Sequence, residues 1–114
     1  VILYPPCLEV IFFGGDFNKS IDELPDTVIC IILGHSYNKS LWELPPHLKY
    51  LTLGPYYDKI LPAKLFPRSI KKIYIPRMNM WIMGHARPSN VFLNRDAIFA
   101  NYSEKFKKKH LVFY

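Results

Sequence analysis

"FNKSIDELP" (Phe17–Pro25) and "YNKSLWELP" (Tyr37–Pro45) are two renderings of one phrase, set twenty residues apart. The register extends well beyond the phrase. Glycines fall at Gly14, Gly34 and Gly54, and prolines at Pro5, Pro25 and Pro45, each proline preceded by Tyr4, Leu24 or Leu44. A fourth copy follows after a two-residue insertion, with Phe66-Pro67 in the Leu-Pro place and Pro76 in the glycine place. Between proline and glycine the large apolar residues keep one frame: Leu8, Ile11, Phe13; Val28, Ile31, Leu33; Leu48, Leu51, Leu53; Ile70, Ile73, Ile75. Alternation in the last four positions of that frame predicts a short strand with one face in the core. A period near twenty is too short for a helix pair but fits one strand and one return turn per repeat.

The expected fold class is therefore a β-rich repeat solenoid, a parallel sheet of short strands in about four rungs. Proline ahead of each strand removes a donor where the ladder has not begun. Glycine behind it permits either a positive φ or close approach between rungs. Phe17, Tyr37 and Tyr57 form an aromatic column, and Asn18, Asn38 and Asp58 a polar one whose side chains are placed to bond the turn of the neighbouring rung. Ile21, Leu41 and Leu61 bring the chain back to the core. "VILYP" aligns with "IDELP", which puts Val1 under Ile21 and predicts that the first rung is truncated.

These columns together resemble the FNIP repeat, a leucine-rich-repeat-like family familiar from social amoebae and from giant viruses that infect amoebae. The motif words are "FNKSI" (Phe17–Ile21), "YNKSL" (Tyr37–Leu41) and a decayed "YDKIL" (Tyr57–Leu61), with Lys-Ser where the family's usual word has Gln-Pro. The resemblance covers residues 1–76. It implies a non-enzymatic protein–protein interaction module. Because family members often join these repeats to an F-box, it also implies the substrate-recognition part of a ubiquitin-ligase adaptor; no F-box is visible in these residues.

Residues 77–114 lose the pattern and are expected to form a C-terminal capping segment, because the last rung of a solenoid exposes core and strand edge. Met78, Met80, Trp81, Ile82 and Met83 are expected to cover that rung. Ile98, Phe99, Tyr102 and Phe106 share one face of a helix predicted from Asn94, its cap, to Lys109, and "HLVFY" reads as a final strand.

Composition narrows the function classes. The 114 residues are 50% hydrophobic and 21% charged, with a net charge of +6. No apolar run reaches the length of a membrane span. Residues 1–48 hold two lysines against six carboxylates (2 − 6 = −4), and residues 49–114 hold thirteen basic residues against three acidic (13 − 3 = +10). Cys7 and Cys30 are too few for a disulfide framework and sit in apolar stretches, which predicts buried thiols and an intracellular, cytoplasmic protein, in host cytoplasm if viral. His35, His47, His85 and His110 have no nucleophile, carboxylate or metal ligand at motif spacing, so no catalytic residue, metal or cofactor is expected.

The candidate partner-binding surface is the outward, concave face of the sheet: Val10, Phe12, Ile32, Tyr50, Thr52, Lys72 and Tyr74, with Cys30 between them. Most of these are apolar or aromatic, where a soluble sheet face normally turns polar. An unknown protein partner, the tail of the chain, or an ordinary mixed surface each accounts for that. Nucleic acid is the alternative partner. Lys49, Lys64, Arg68, Lys71, Lys72 and the Lys107–Lys109 run lie among tyrosines suited to stacking, although no recognised nucleic-acid module frames them. The Lys19, Lys39, Lys59 column reads as a solvated edge.

Overall fold

The computed structural model describes residues 4–76 and 98–114. Each repeat contributes one strand: β1 (Val10–Phe12), β2 (Cys30–Ile32), β3 (Tyr50–Thr52) and β4 (Lys72–Ile75). The tail adds helix α1 (Glu104–His110) and strand β5 (Leu111–Phe113). The five strands form one sheet in chain order, every pair parallel. The pairing register is the repeat register, with Ile11 opposite Ile31, Ile31 opposite Leu51, Leu51 opposite Ile73, and Ile73 opposite Leu111. The expected solenoid is the architecture found, with β5 as a fifth strand that no repeat encodes.

Each rung turns two corners with the same backbone bond. At the first, the N–H groups of Leu8, Val28, Leu48 and Ile70 donate to the carbonyls of Pro5, Pro25, Pro45 and Pro67 at 3.1–3.2 Å. At the second, those of Phe17, Tyr37 and Tyr57 donate to Gly14, Gly34 and Gly54 at 3.1–3.3 Å. Two tight turns per rung leave only three or four residues for the strand, which is why the strands are short. Inside, Val28, Leu48, Ile31, Leu51, Ile73, Leu41 and Leu61 have no exposed surface. Burial of each such side chain contributes about 2 kcal/mol.

The glycine corner is a matter of close approach, since none of the three glycines has a left-handed φ. A Cβ on Gly34 would lie 2.5 Å from the Gly14 carbonyl oxygen, and one on Gly54 would strike the carbonyl of Gly34. Gly14 has open space at the same place. Two polar ladders bind the corners, one at each. Asn18 Oδ1 accepts the N–H of Asn38 at 2.8 Å, and Asn38 Oδ1 accepts that of Asp58 at 3.0 Å. At the other corner, hydroxyls at the second position after proline reach back one rung, Thr27 to the carbonyl of Leu8 (2.6 Å) and Ser69 to that of Leu48 (2.7 Å).

The aromatic column is a stack. Phe17 and Tyr37 lie 6.0 Å apart and 5° from parallel, Tyr37 and Tyr57 6.2 Å apart and 7° from parallel. Both tyrosine rings are fully buried, and neither hydroxyl has a hydrogen-bond partner among the described residues. Burial, with Asp22 and Tyr4 nearby, pushes the Tyr37 phenol up to about 12, and burial pushes Tyr57 up as well.

The tail departs from the predicted Asn94–Lys109 helix. Residues Phe99–Tyr102 form a turn closed by the Tyr102 N–H on the Phe99 carbonyl at 3.0 Å, and α1 starts only after Ser103, whose Oγ accepts the Phe106 N–H at 3.1 Å. The reason is competition from the last rung: the Leu61 N–H donates to Ile98, Asn101 Nδ2 donates to the Leu61 carbonyl, and the Tyr102 hydroxyl donates to the Pro62 carbonyl. Those ties hold residues 99–102, just after helical Ile98, out of a helix. Asn94, Val1 and the Met78–Met83 group lie outside the described residues. Ile98 and Phe99 are buried, and Phe66 packs on Tyr102 and Phe106 at 5.7 and 5.9 Å. Phe66 therefore faces the tail, and Leu65, one residue earlier, takes the core place.

Gly54→Ala is expected to cost at least ~2 kcal/mol in urea unfolding, because backbone must part to admit the methyl group, while Gly14→Ala stays within ~1 kcal/mol of wild type. Tyr37→Phe is expected to raise stability by about 1 kcal/mol by removing an unsatisfied buried hydroxyl. A phenol with a folded-state pKa above its unfolded value favours folding below pH 10, and that contribution is lost as pH climbs through the folded value. Wild type is thus expected to lose stability more steeply between pH 10 and 12 than the Tyr37→Phe/Tyr57→Phe double variant, read by circular dichroism.

Candidate functional site

Side chains alternate along each strand, so the residues flanking each buried central one point away from the core. The register aligns them as two columns: Val10, Cys30, Tyr50, Lys72, and Phe12, Ile32, Thr52, Tyr74. All seven predicted surface residues, with Cys30, therefore share one face. Exposure is highest at the first rung, 55% for Val10 and 68% for Phe12, where no described strand lies beyond. Ile32, Tyr50, Thr52 and Tyr74 are half-buried against one another. Burial within the first column pushes the Cys30 thiol up.

The far end of the face holds two residues that the repeat could not announce. Val112 pairs with Tyr74 and lengthens the second column. Tyr114 donates its N–H to the Ile75 carbonyl at 2.8 Å and its hydroxyl to the Leu53 carbonyl at 2.8 Å. Its ring borders a shallow, mostly apolar basin with Thr52 and Tyr74. Lys72 turns aside from the face, its Nζ on the Lys109 carbonyl at 3.2 Å. Its charge therefore lies at the margin near α1. The described tail extends the sheet and borders the face at Tyr114; α1 does not cross it.

Elsewhere the predictions fare unevenly. Cys7, expected to be buried, is exposed, because it sits in the first-corner turn instead of the strand. Both cysteines are free. Of the lysine column, Lys59 approaches Asp58 at 4.0 Å. His35 packs edge-on against Tyr56 at 4.8 Å, and His110 lies against Phe106 at 4.5 Å with Nδ1 3.1 Å from the Lys71 carbonyl. Among the described residues no group of three His, Cys, Asp or Glu is arranged to hold a metal ion, and no helix is long and apolar enough to cross a membrane. Trp42 and Ile60, exposed on the return side, carried no signal beyond their size.

The crystal structure of CroV588, a giant-virus protein described as a novel circular LRR protein, superposes on this chain with a TM-score of 0.59 at 22% identity. The match covers 96% of this chain and 18% of that one, so the chain spans under a fifth of its length. Among curated proteins no match is found. The family model for the FNIP Repeat matches residues 37–77, from the "YNKSL" word at Tyr37 to the end of the fourth repeat. Residues 37–77 are thus similar to the FNIP repeat, and the described residues fold as the rungs of a leucine-rich-repeat-like solenoid.

Proposed function

We propose that the chain is a non-enzymatic protein-interaction module that takes its partner on the outward face of the sheet, at Val10, Phe12, Ile32, Tyr50, Thr52 and Tyr74, with Lys72 at the margin. The observation that carries this is the apolar wall itself, exposed at Val10 and Phe12, half-buried beyond, and crossed by no described element. Parallel sheets are normally covered on both faces, and here one face has the core while the other presents aliphatic and aromatic side chains to solvent. Side chains locked in register by the strands are pre-organised, which lowers the ordering cost of binding. A partner segment that brings apolar side chains to the Phe12–Ile32–Thr52 column and a carboxylate toward Lys72 suits this wall. A cytoplasmic role as the substrate-recognition part of a ubiquitin-ligase adaptor is the narrower form of this reading, and it rests on the family resemblance.

Nucleic acid is the second reading, favoured by the exposed lysines of α1 and by Arg68, Lys71 and Lys72 near Tyr74. The two separate in one experiment. Partners captured from amoebal lysate by the wild-type chain are compared with those held by Phe12→Ser/Tyr50→Ser/Tyr74→Ser, after circular dichroism shows the variant folded. Loss of aromatic anchors is expected to weaken a genuine partner about a hundredfold, on the order of 3 kcal/mol. Partners that all persist in the variant defeat the outward-face reading. Salt-sensitive retention of single-stranded nucleic acid that survives the triple change supports the alternative instead.

A further inference from the structure

The outward wall is not evenly built. From β2 onward its second column alternates in size, Ile32, Thr52, Tyr74, Val112, so a short side chain stands on either side of Tyr74. On the Thr52 side the dip is the apolar basin bordered by Tyr114, whose ring is held in place by its hydroxyl on the Leu53 carbonyl. Tyr50 adds another ring at the head of β3. Tyr50, Thr52 and Tyr74 are half-buried, and their hydroxyls make no hydrogen bond among the described residues. In the same register Lys49, Lys71 and Lys109 form a row where β3, β4 and β5 begin, with Lys72 beside it. That stretch of the row holds no carboxylate.

We propose, on the footing of the outward-face reading, that the partner meets this wall as a polyproline II segment lying along the stack. It carries a proline at every third residue against the wall and carboxylates on the lysine side. Spacing is the first reason. Neighbouring strands lie ~4.8 Å apart, so Thr52 and Val112, two strands from each other, are about 9.6 Å apart. A polyproline II helix has three residues per turn and rises about 3.1 Å per residue, so one side repeats at about 9.3 Å. Two prolines three residues apart therefore straddle the Tyr74 ring, one over Thr52 and one over Val112. Residues on one face of a strand repeat at about 6.7 Å, and an α-helix turns every ~5.4 Å, so both drift out of phase with the rungs. Hydrogen bonding is the second reason. Polyproline II carbonyls have no internal partner, and the three wall hydroxyls are donors for them. A helix has spent its carbonyls, and an added strand needs a sheet edge, which this face does not offer. Charge sets the remaining side: one side chain of each triplet turns toward Lys49, Lys71 and Lys109, where Asp or Glu is the complement.

Fluorescence anisotropy of labelled peptides titrated with the full chain tests this. A peptide of three Pro-Pro-Glu triplets, about 28 Å long, is expected to bind. Its counterpart of Pro-Pro-Lys triplets is expected to bind at least about tenfold more weakly, and so is one of Gly-Ser-Glu triplets, which keeps the charge but loses the preformed helix. Thr52→Tyr fills the dip beside Tyr74, and Tyr74→Ser removes the ring between the two prolines. Each is expected to weaken the Pro-Pro-Glu peptide about tenfold or more. Both positions point outward, so circular dichroism is expected to show the fold kept. A Pro-Pro-Glu peptide that does not bind overturns the proposal. So does equal binding of either control peptide, or binding indifferent to both substitutions. If captured partners still depend on Phe12, Tyr50 and Tyr74 while the proline peptide fails, the outward-face reading stands and the polyproline partner falls.

Discussion

The constraint on which this structure depends is the distance between successive glycine corners. Backbone at Gly34 lies so close to Gly14, and at Gly54 so close to Gly34, that no side-chain carbon fits between. Once the corners are in contact, the strands that precede them sit at hydrogen-bonding distance and their registers are fixed. The asparagine ladder repeats the statement one turn later, because an Asn side chain is just long enough to reach the next rung's amide when the corners touch. Thr27 and Ser69 do the same work at the opposite corner. The two corners are thus pinned independently, and the short strand between them has little freedom left.

This constraint also explains the unpartnered phenols. Stacked rungs carry their rings to the same place in each layer, and Tyr37 and Tyr57 inherit a slot that Phe17 fills without a hydroxyl. Offset stacking of parallel rings contributes about 1 kcal/mol beyond burial, comparable to the cost of one unsatisfied hydroxyl. The column therefore tolerates Phe or Tyr alike, and the rings stay stacked while burial raises the pKa of both phenols.

Most of the fold was legible because a fixed period turns a sequence into columns, and columns into neighbours. Core frame, pairing register, aromatic stack and asparagine ladder all follow from that one operation. The choice between positive φ and close approach at glycine was not legible, since both demand the same residue. Nor was the break after helical Ile98: apolar spacing from Ile98 to Phe106 satisfies one helix, and only the last rung's claim on Asn101 and Tyr102 interrupts it. Leu65 and Phe66 exchanged roles because the two-residue insertion shifts the phase at that corner. Val112 and Tyr114 joined the outward face through a strand that no repeat encodes. The outward residues themselves were readable as a set, because alternation along a three-residue strand leaves no other assignment.

That same alternation separates folding from recognition. A rung spends its central strand residue, its corners and its return segment on the core and on its neighbours, and it leaves two side chains free. Substitution at those two positions touches neither the glycine contact nor the ladders, so the outward wall can change chemistry rung by rung while the stack stays as it is. Along this chain it does change, from Val10 and Phe12 through Cys30 and Ile32 and then Tyr50 and Thr52 to Lys72 and Tyr74. Apolar character gives way to polar and basic character in the direction of stacking, so a segment lying along the sheet would meet an ordered gradient, and reversing that segment would set its groups against the wrong ends. Orientation is then encoded by the order of the rungs, which the glycine corners hold fixed.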